Sequence, residues 1–126
     1  MKILFLGDIV GPSGCKVVKN HLPKIIKQKN LDFVVANGEN AADNGAGITE
    51  KISNDLFQCG VNVLTTGNHV WDQKETVEYI EREKKLLRPY NLTTPAPGKG
   101  FEIFISKNNF KVGVLNFCLL YTSPSP

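Results

Sequence analysis

Polar side chains that can bind a metal follow three apolar stretches of the sequence. Asp8 follows "KILFLG", Glu39 and Asn40 follow "LDFVVANG", and Asn68 and His69 follow "VNVLTTG". Two carboxylates at one place repel each other, and a divalent cation relieves that repulsion. A mixed set of carboxylate, amide and imidazole groups suits manganese, iron or zinc, and the residue types do not choose among these metals. The pattern therefore indicates metal-dependent chemistry.

The three apolar stretches are predicted to be buried strands that alternate with helices. Residues 12–30 carry apolar side chains at helical spacing with lysines on the opposite face, which predicts a crossover helix. The members of that apolar face are Val17, Val18, Leu22, Ile25 and Ile26. Before the third strand, Thr49 is expected to cap a second helix and Gly60 to end it.

A third helix and a hairpin are predicted after the third strand. Asp72 with Glu75 has the spacing of a capping box at the start of "QKETVEYIEREKK". Later, "FEIFIS" and "FKVGVLNF" are expected to pair through a turn at Asn108 and Asn109. The predicted fold class is α/β, with a parallel β-α-β-α-β core and a C-terminal hairpin.

This topology predicts that the polar residues converge, because ligands bind beyond the carboxyl ends of parallel strands. A glycine precedes each polar group, at Gly7, Gly38 and Gly67. These glycines are expected to let the backbone turn sharply and approach its neighbours closely.

Each polar residue also has an ordinary structural role open to it. Asp8 could cap the first helix, while Asn40 and Asn68 could be turn residues beside glycine. His69 could be a surface histidine, and Asp72 is expected to cap the third helix rather than to bind metal. Independent capping would rarely place donors at three strand ends together, which favours a shared site.

The composition is that of a single globular domain: the chain has 126 residues, and 41% of them are hydrophobic. Its formal charge of +3 comes from scattered lysines, and no basic stripe typical of a nucleic-acid-binding surface is indicated. Three cysteines without Cys-x-x-Cys spacing favour a reducing cytoplasm over a disulfide framework. The first apolar stretch is too short for a membrane span. In "GDIVGPSG" the glycine spacing does not match a dinucleotide-binding loop.

The motifs "GDIVG", "NGENAADNGAGIT", "TGNHVWD" and "RPYN...PGKG", in this order, resemble the YmdB-like family of calcineurin-type metallophosphoesterases. The resemblance covers residues 1–117. Val10 stands where the wider superfamily usually has histidine, and Glu39 stands where it usually has aspartate. Both departures are typical of the YmdB-like branch.

The resemblance implies a dinuclear site of divalent or trivalent ions, either iron, manganese or zinc. Asp8 would hold one metal, Glu39 would bridge both, and Asn40 would support the first. Asn68 would bind the second metal. His69 would contact the phosphate and protonate the leaving oxygen.

The resemblance further implies a phosphodiesterase acting on cyclic nucleotides or RNA-derived 2′,3′-cyclic phosphates. Residues 1–117 would form the N-terminal half of an α/β/β/α sandwich. Residues 118–126, "CLLYTSPSP", resemble no part of the family and are expected to be a non-native or truncated tail, so this chain alone would be weakly active or inactive. A non-catalytic metal- or phosphate-binding module and a broad-specificity phosphomonoesterase stay open, as does a homo-oligomer.

Overall fold

The computed structural model describes residues 1–92 and 95–119. The elements, in chain order, are β1 (Ile3–Val10), α1 (Gly11–Lys29), β2 (Phe33–Asn40), α2 (Glu50–Gln58), β3 (Val63–Thr65), a 3-10 helix (Asn68–Asp72), α3 (Lys74–Arg82), β4 (Phe101–Ile105) and β5 (Lys111–Leu115). The first three strands form a parallel sheet in the order β1-β2-β3, and β4 and β5 form an antiparallel hairpin. The predicted α/β class, its parallel core and its hairpin are confirmed.

Alternate residues of each strand point to opposite sides of the parallel sheet, and β2 and β3 are buried on both sides, whereas Ile3 and Phe5 of β1 are exposed. On one side Val34, Ala36 and Leu64 join a core with residues of all three helices. On the other side Phe33 packs on the hairpin, its ring 6.1 Å from that of Phe104. The sheet is therefore a fixed platform between helices and hairpin.

The two crossover helices form as the sequence predicts, with one error. Thr49 caps α2, because its Oγ1 accepts the backbone N–H of Ile52 at 3.2 Å. Gly60 follows that helix with φ +123°, a conformation that favours glycine. The prediction that Val17 belongs to the apolar face of α1 is wrong. Val17 is 58% exposed, and Cys15 is buried on the core side instead.

The predicted capping box at the start of α3 is wrong. Gln73 occupies the N-cap position, and it makes no side-chain capping bond. Asp72 instead ends the preceding 3-10 helix, where its carboxylate bonds to the ring of His69. The ring nitrogen of His69 thus contacts the carboxylate that a capping residue would offer to helix amides.

The first two strands extend further than the glycine boundaries predict, so Asp8 and Glu39 lie within strand ends rather than after them. The pairing of β1 with β2 shifts register on both sides of Asp8. Such irregularities change the direction of a side chain and are common beside active sites. Asp8 does not cap α1, because Val10 is the N-cap residue and no side chain caps that helix.

The hairpin turns where the sequence predicts, with Asn109 at φ +68°. Its outer side carries exposed apolar residues, among them Phe101 and Ile103. Among the described helices, none combines the length and the apolar composition of a membrane span. Residues 120–126 of the predicted tail lie outside the described part of the chain, and the boundary after Phe117 stays a prediction.

Candidate metal centre

Asp8 and Asn40 meet across the pairing of β1 and β2. The Nδ2 of Asn40 donates to both carboxylate oxygens of Asp8, at 3.2 Å and 3.0 Å. This contact fixes the direction of the carboxylate, and it leaves Oδ1 as the only atom of the Asn40 amide that can act as a ligand. The pairing of β1 with β2 is irregular on both sides of Asp8, and no side chain caps α1.

Glu39 lies against the backbone that leads into the 3-10 helix. The backbone N–H of His69 donates to Oε2 of Glu39 at 3.4 Å, and the backbone N–H of Glu39 donates to Oδ1 of Asn37 at 3.2 Å. A Cβ atom on Gly67 would lie 2.3 Å from both carboxylate oxygens of Glu39. The carboxylate therefore occupies space that only a glycine leaves open.

The three glycines before the polar groups differ in role. None has a positive φ, and the predicted sharp turns are wrong because Gly7 and Gly38 lie within strands and Gly67 is extended. Close approach is real at Gly67 and at Gly38, where an added Cβ would lie 2.9 Å from Cδ1 of Ile48. At Gly7 no heavy atom lies within 4 Å of such a Cβ.

Asn68 carries an unpartnered polar atom. Among the described residues, its Oδ1 is the one buried side-chain nitrogen or oxygen without a hydrogen bond. Leaving such an atom unsatisfied costs about 1–3 kcal/mol, and buried polar groups without partners often mark a missing ion or water. The Asn68 amide follows Gly67 and precedes His69, and both of these neighbours approach Glu39. Asn68 thus lies between two residues whose backbones approach the Glu39 carboxylate.

His69 and Asp72 form a hydrogen-bonded pair on the surface of the 3-10 helix. Nδ1 of His69 lies 2.8 Å from Oδ2 of Asp72, and the two side chains are 45% and 43% exposed. This hydrogen bond raises the pKa of the His69 imidazole above its usual value, and desolvation opposes it. The negative charges of Asp72, Glu39 and Asp8 raise the same pKa further.

The five residues predicted as site residues are therefore joined by contacts or chain neighbours. Asp8 binds Asn40, which follows Glu39, and Glu39 contacts the backbone of His69 beside Asn68. Within the described part of the chain, no three His, Cys, Asp or Glu side chains converge in a way that could hold a metal. Two of the four candidate ligands are asparagines. A set of two carboxylates and two amide oxygens fits a cation that prefers oxygen ligands.

Two residues of the site were missed from the sequence. Asn37 supports Glu39 through its Oδ1, and its Nδ2 donates to Oγ1 of Thr65 at 3.4 Å. Asp72 supports His69, although the sequence pattern made it a helix cap. The spacing His-x-x-Asp was the available signal for the second, because residues three apart face each other on a helical turn.

The sequence matches the family model described as "YmdB-like protein" over residues 4–122. The chain belongs to the YmdB-like family. In Bacillus subtilis (strain 168), a relative named 2′,3′-cyclic-nucleotide 2′-phosphodiesterase is 42% identical over 116 residues, which are 92% of this chain and 43% of the relative.

Two solved structures share the fold of this YmdB-like chain. A hypothetical protein from Thermus thermophilus superposes with a TM-score of 0.83 at 36% identity, over 93% of this chain and 44% of that protein. A protein described as a novel phosphatase from Mycoplasma pneumoniae superposes with a TM-score of 0.82 at 35% identity, over 93% of this chain and 42% of that protein. The chain thus spans less than half the length of each relative.

Proposed function

We propose that the full-length protein carrying these residues is a metal-dependent phosphodiesterase that hydrolyses cyclic nucleotides or 2′,3′-cyclic phosphates. Membership of the YmdB-like family and the name of the Bacillus subtilis relative support the reaction class. The observation that carries the metal proposal is the buried, unpartnered Oδ1 of Asn68, which lies next in sequence to residues that contact Glu39. A cation is the ligand that would satisfy this oxygen beside a carboxylate.

In this proposal Asp8, Glu39, Asn40 and Asn68 hold the cations. Asn40 orients the Asp8 carboxylate through Nδ2 and ligates through Oδ1. Glu39 precedes Asn40 at the end of β2, and its carboxylate contacts the backbone of His69, the neighbour of Asn68. This position suits Glu39 to bridge two ions. If iron, manganese or zinc ions were bound by these residues, they would lower the pKa of a bound water and neutralise charge on the phosphoryl group.

His69 is proposed as the general acid. Its ring is about half exposed, so a substrate can reach it, and it lies one residue from the proposed ligand Asn68. An imidazole that is protonated near neutral pH can donate a proton to the departing ribose oxygen. The raised pKa of His69 favours the protonated ring that this role requires.

Further ligands are proposed to come from the rest of the full-length protein. Two of the four proposed ligands are neutral amides, so these side chains bring only two negative charges to two multivalent ions. Because a depleted ligand set weakens metal affinity, these four side chains would bind metal weakly without the remaining ligands.

The test compares hydrolysis of 2′,3′-cyclic AMP by the full-length protein with and without Mn²⁺, before and after chelation. Glu39→Gln keeps the size of the side chain and removes its charge, and we expect turnover to fall by about a hundredfold or more. Glu81→Gln is the matched control, because Glu81 is an exposed residue of α3. Undiminished turnover by Glu39→Gln would overturn the proposal.

A second candidate, a phosphomonoesterase, is favoured by the Mycoplasma pneumoniae structure, which is described as a phosphatase. A monoester such as p-nitrophenyl phosphate, assayed in parallel, separates the two. Faster turnover of the cyclic diester supports the phosphodiesterase. Metal binding without turnover of either compound would instead support a non-catalytic metal- or phosphate-binding module.

A further inference from the structure

We propose that Asp72 is a positioning residue: it holds the ring of His69 with the proton on Nδ1, so that Nε2 is the ring atom presented to the substrate. The role in catalysis rests on the function proposed above. The orientation of the ring does not, and it can be tested by itself.

The hydrogen bond determines which ring nitrogen carries the proton. Nδ1 of His69 lies 2.8 Å from Oδ2 of Asp72. An ionised carboxylate can only accept, so Nδ1 must be the donor. The neutral ring is then the Nδ1–H tautomer, with the lone pair on Nε2, and the charged ring has its transferable proton on Nε2.

Helix type explains why this pair forms. His69 and Asp72 stand three residues apart in the 3-10 helix Asn68–Asp72. Such a helix has about 3.0 residues per turn, so side chains three apart lie directly above one another. An α-helix would place the same two residues about 60° apart around its axis, since it advances about 100° per residue. The local 3-10 geometry therefore aligns the carboxylate with the ring.

The loop between β2 and α2, here called the bracing loop, packs against this 3-10 helix. At Gly47, φ is +81°, and an added Cβ would lie 3.0 Å from the carbonyl oxygen of His69 and 3.4 Å from Cβ of Asp72. Gln73 extends the contact, because its Nε2 donates to the carbonyl of Ala46 at 3.1 Å. The N–H of Gly47 donates to the carbonyl of Glu39 at 2.7 Å. One loop thus ties the pair to the strand end that carries the proposed bridging ligand.

A purely structural role fits Asp72 poorly. The residue does not cap α3, and its side chain is 43% exposed. Exposed ion pairs contribute little to stability. Removal of the carboxylate should therefore change the tautomer and orientation of the His69 ring, whereas it should have little effect on the free energy of unfolding.

The decisive measurement is two-bond ¹H–¹⁵N correlation NMR on the full-length protein with ¹⁵N-labelled histidine, at a pH where the His69 ring is neutral. Loss of its signals in His69→Gln assigns His69, and exposed His21, assigned in the same way, serves as an internal reference. We expect the spectrum of His69 to show Nδ1 protonated and Nε2 unprotonated. Asp72→Ala should remove this preference, and Asp72→Asn should keep it, because the Asn Oδ1 still accepts a hydrogen bond.

Asp43→Asn is the matched control, since Asp43 is an exposed carboxylate in the bracing loop without a bond to His69. It should leave the His69 spectrum unchanged. An Nε2–H tautomer in the unaltered chain, or an Nδ1–H tautomer that survives Asp72→Ala, would overturn the proposal.

A kinetic arm then tests the catalytic consequence in the full-length protein. We expect Asp72→Ala to lower kcat for 2′,3′-cyclic AMP about 10–100-fold with little change in KM, and Asp72→Asn to recover part of the loss. Unchanged kcat in Asp72→Ala would contradict the positioning role. Absence of turnover in the unaltered protein would refute the proposed function, whereas the NMR result would still decide the tautomer.

Discussion

Replacing Gly67 by alanine should weaken metal binding without weakening the fold. The new Cβ would lie 2.3 Å from the Glu39 carboxylate, whereas ordinary contacts begin at 3.4 Å, so the carboxylate must move by about 1 Å. The backbone itself tolerates alanine, because Gly67 has φ −135° and ψ −153°, which is extended. The clash therefore falls on the end of a flexible side chain, which can rotate away.

Two effects of opposite sign follow from that displacement. Alanine loses less backbone entropy than glycine on folding, which stabilises a compatible site by about 0.4–1 kcal/mol. The displaced carboxylate, however, loses its contact with the N–H of His69 and its position as a ligand. Displacing a ligand or its support lowers metal affinity by about 10–100-fold, or about 1.4 kcal/mol for each factor of ten.

The assay is Mn²⁺ titration by calorimetry on the full-length protein, combined with urea unfolding of the metal-free protein. Gly7→Ala is the control: this glycine also precedes a proposed ligand, but its added Cβ would meet no atom within 4 Å. We expect lower Mn²⁺ affinity with unchanged or higher stability in Gly67→Ala alone. Wild-type affinity in Gly67→Ala, or an equal loss in Gly7→Ala, would show that the position of the Glu39 carboxylate against Gly67 does not determine metal binding.

The remaining predictions concern Thr49, Asn68 and Glu39. Thr49→Ala should lower the free energy of unfolding by about 1 kcal/mol in urea titrations, because the N–H of Ile52 loses its cap; no change would mean that water replaces the cap without cost. Saturating Mn²⁺ should raise the Tm, by an amount equivalent to about 2.7 kcal/mol at a hundred times the Kd. Asn68→Ala should reduce that rise, and an undiminished rise would place the ion elsewhere. Glu39→Gln should lower metal-dependent turnover of 2′,3′-cyclic AMP by about a hundredfold or more, because the proposed bridging charge is lost.

Predictions from the sequence succeeded where a single local preference, such as a helix cap or the conformational freedom of glycine, determined the structure. The hydroxyl of Thr49 caps α2 by accepting the backbone N–H of Ile52. Gly60 takes a backbone conformation that only glycine adopts freely. The apolar stretches predicted the parallel core because the central strand β2 and its neighbour β3 are covered on both faces.

Prediction failed where tertiary contacts overrode a local rule. The spacing of Asp72 and Glu75 fitted a capping box. In the structure, however, the 3-10 helix places His69 next to Asp72, and the carboxylate forms a hydrogen bond with the imidazole instead of capping α3. Asp8 seemed to follow its strand, yet pairing with β2 continues past it through two register shifts. Neither the helix type nor the register can be read from residue types alone.

From the sequence, Asp8, Glu39, Asn40, Asn68 and His69 are predicted to lie at one edge of the sheet, because the carboxyl ends of parallel strands share an edge. Their contacts agree with this placement, whereas their roles as ligands and general acid stay predictions. The sequence could not show that Nδ2 of Asn40 donates a hydrogen bond to Asp8, nor that Oδ1 of Asn68 is buried without a partner. Those facts depend on side-chain directions that only the folded chain defines.

The most direct test of the proposed metal centre is anomalous diffraction from crystals of the full-length protein soaked in Mn²⁺. We expect anomalous peaks within coordination distance, about 2.0–2.2 Å, of carboxylate oxygens of Asp8 and Glu39 and of Oδ1 of Asn68. Peaks elsewhere, with Oδ1 of Asn68 bonded to a protein group instead, would contradict it.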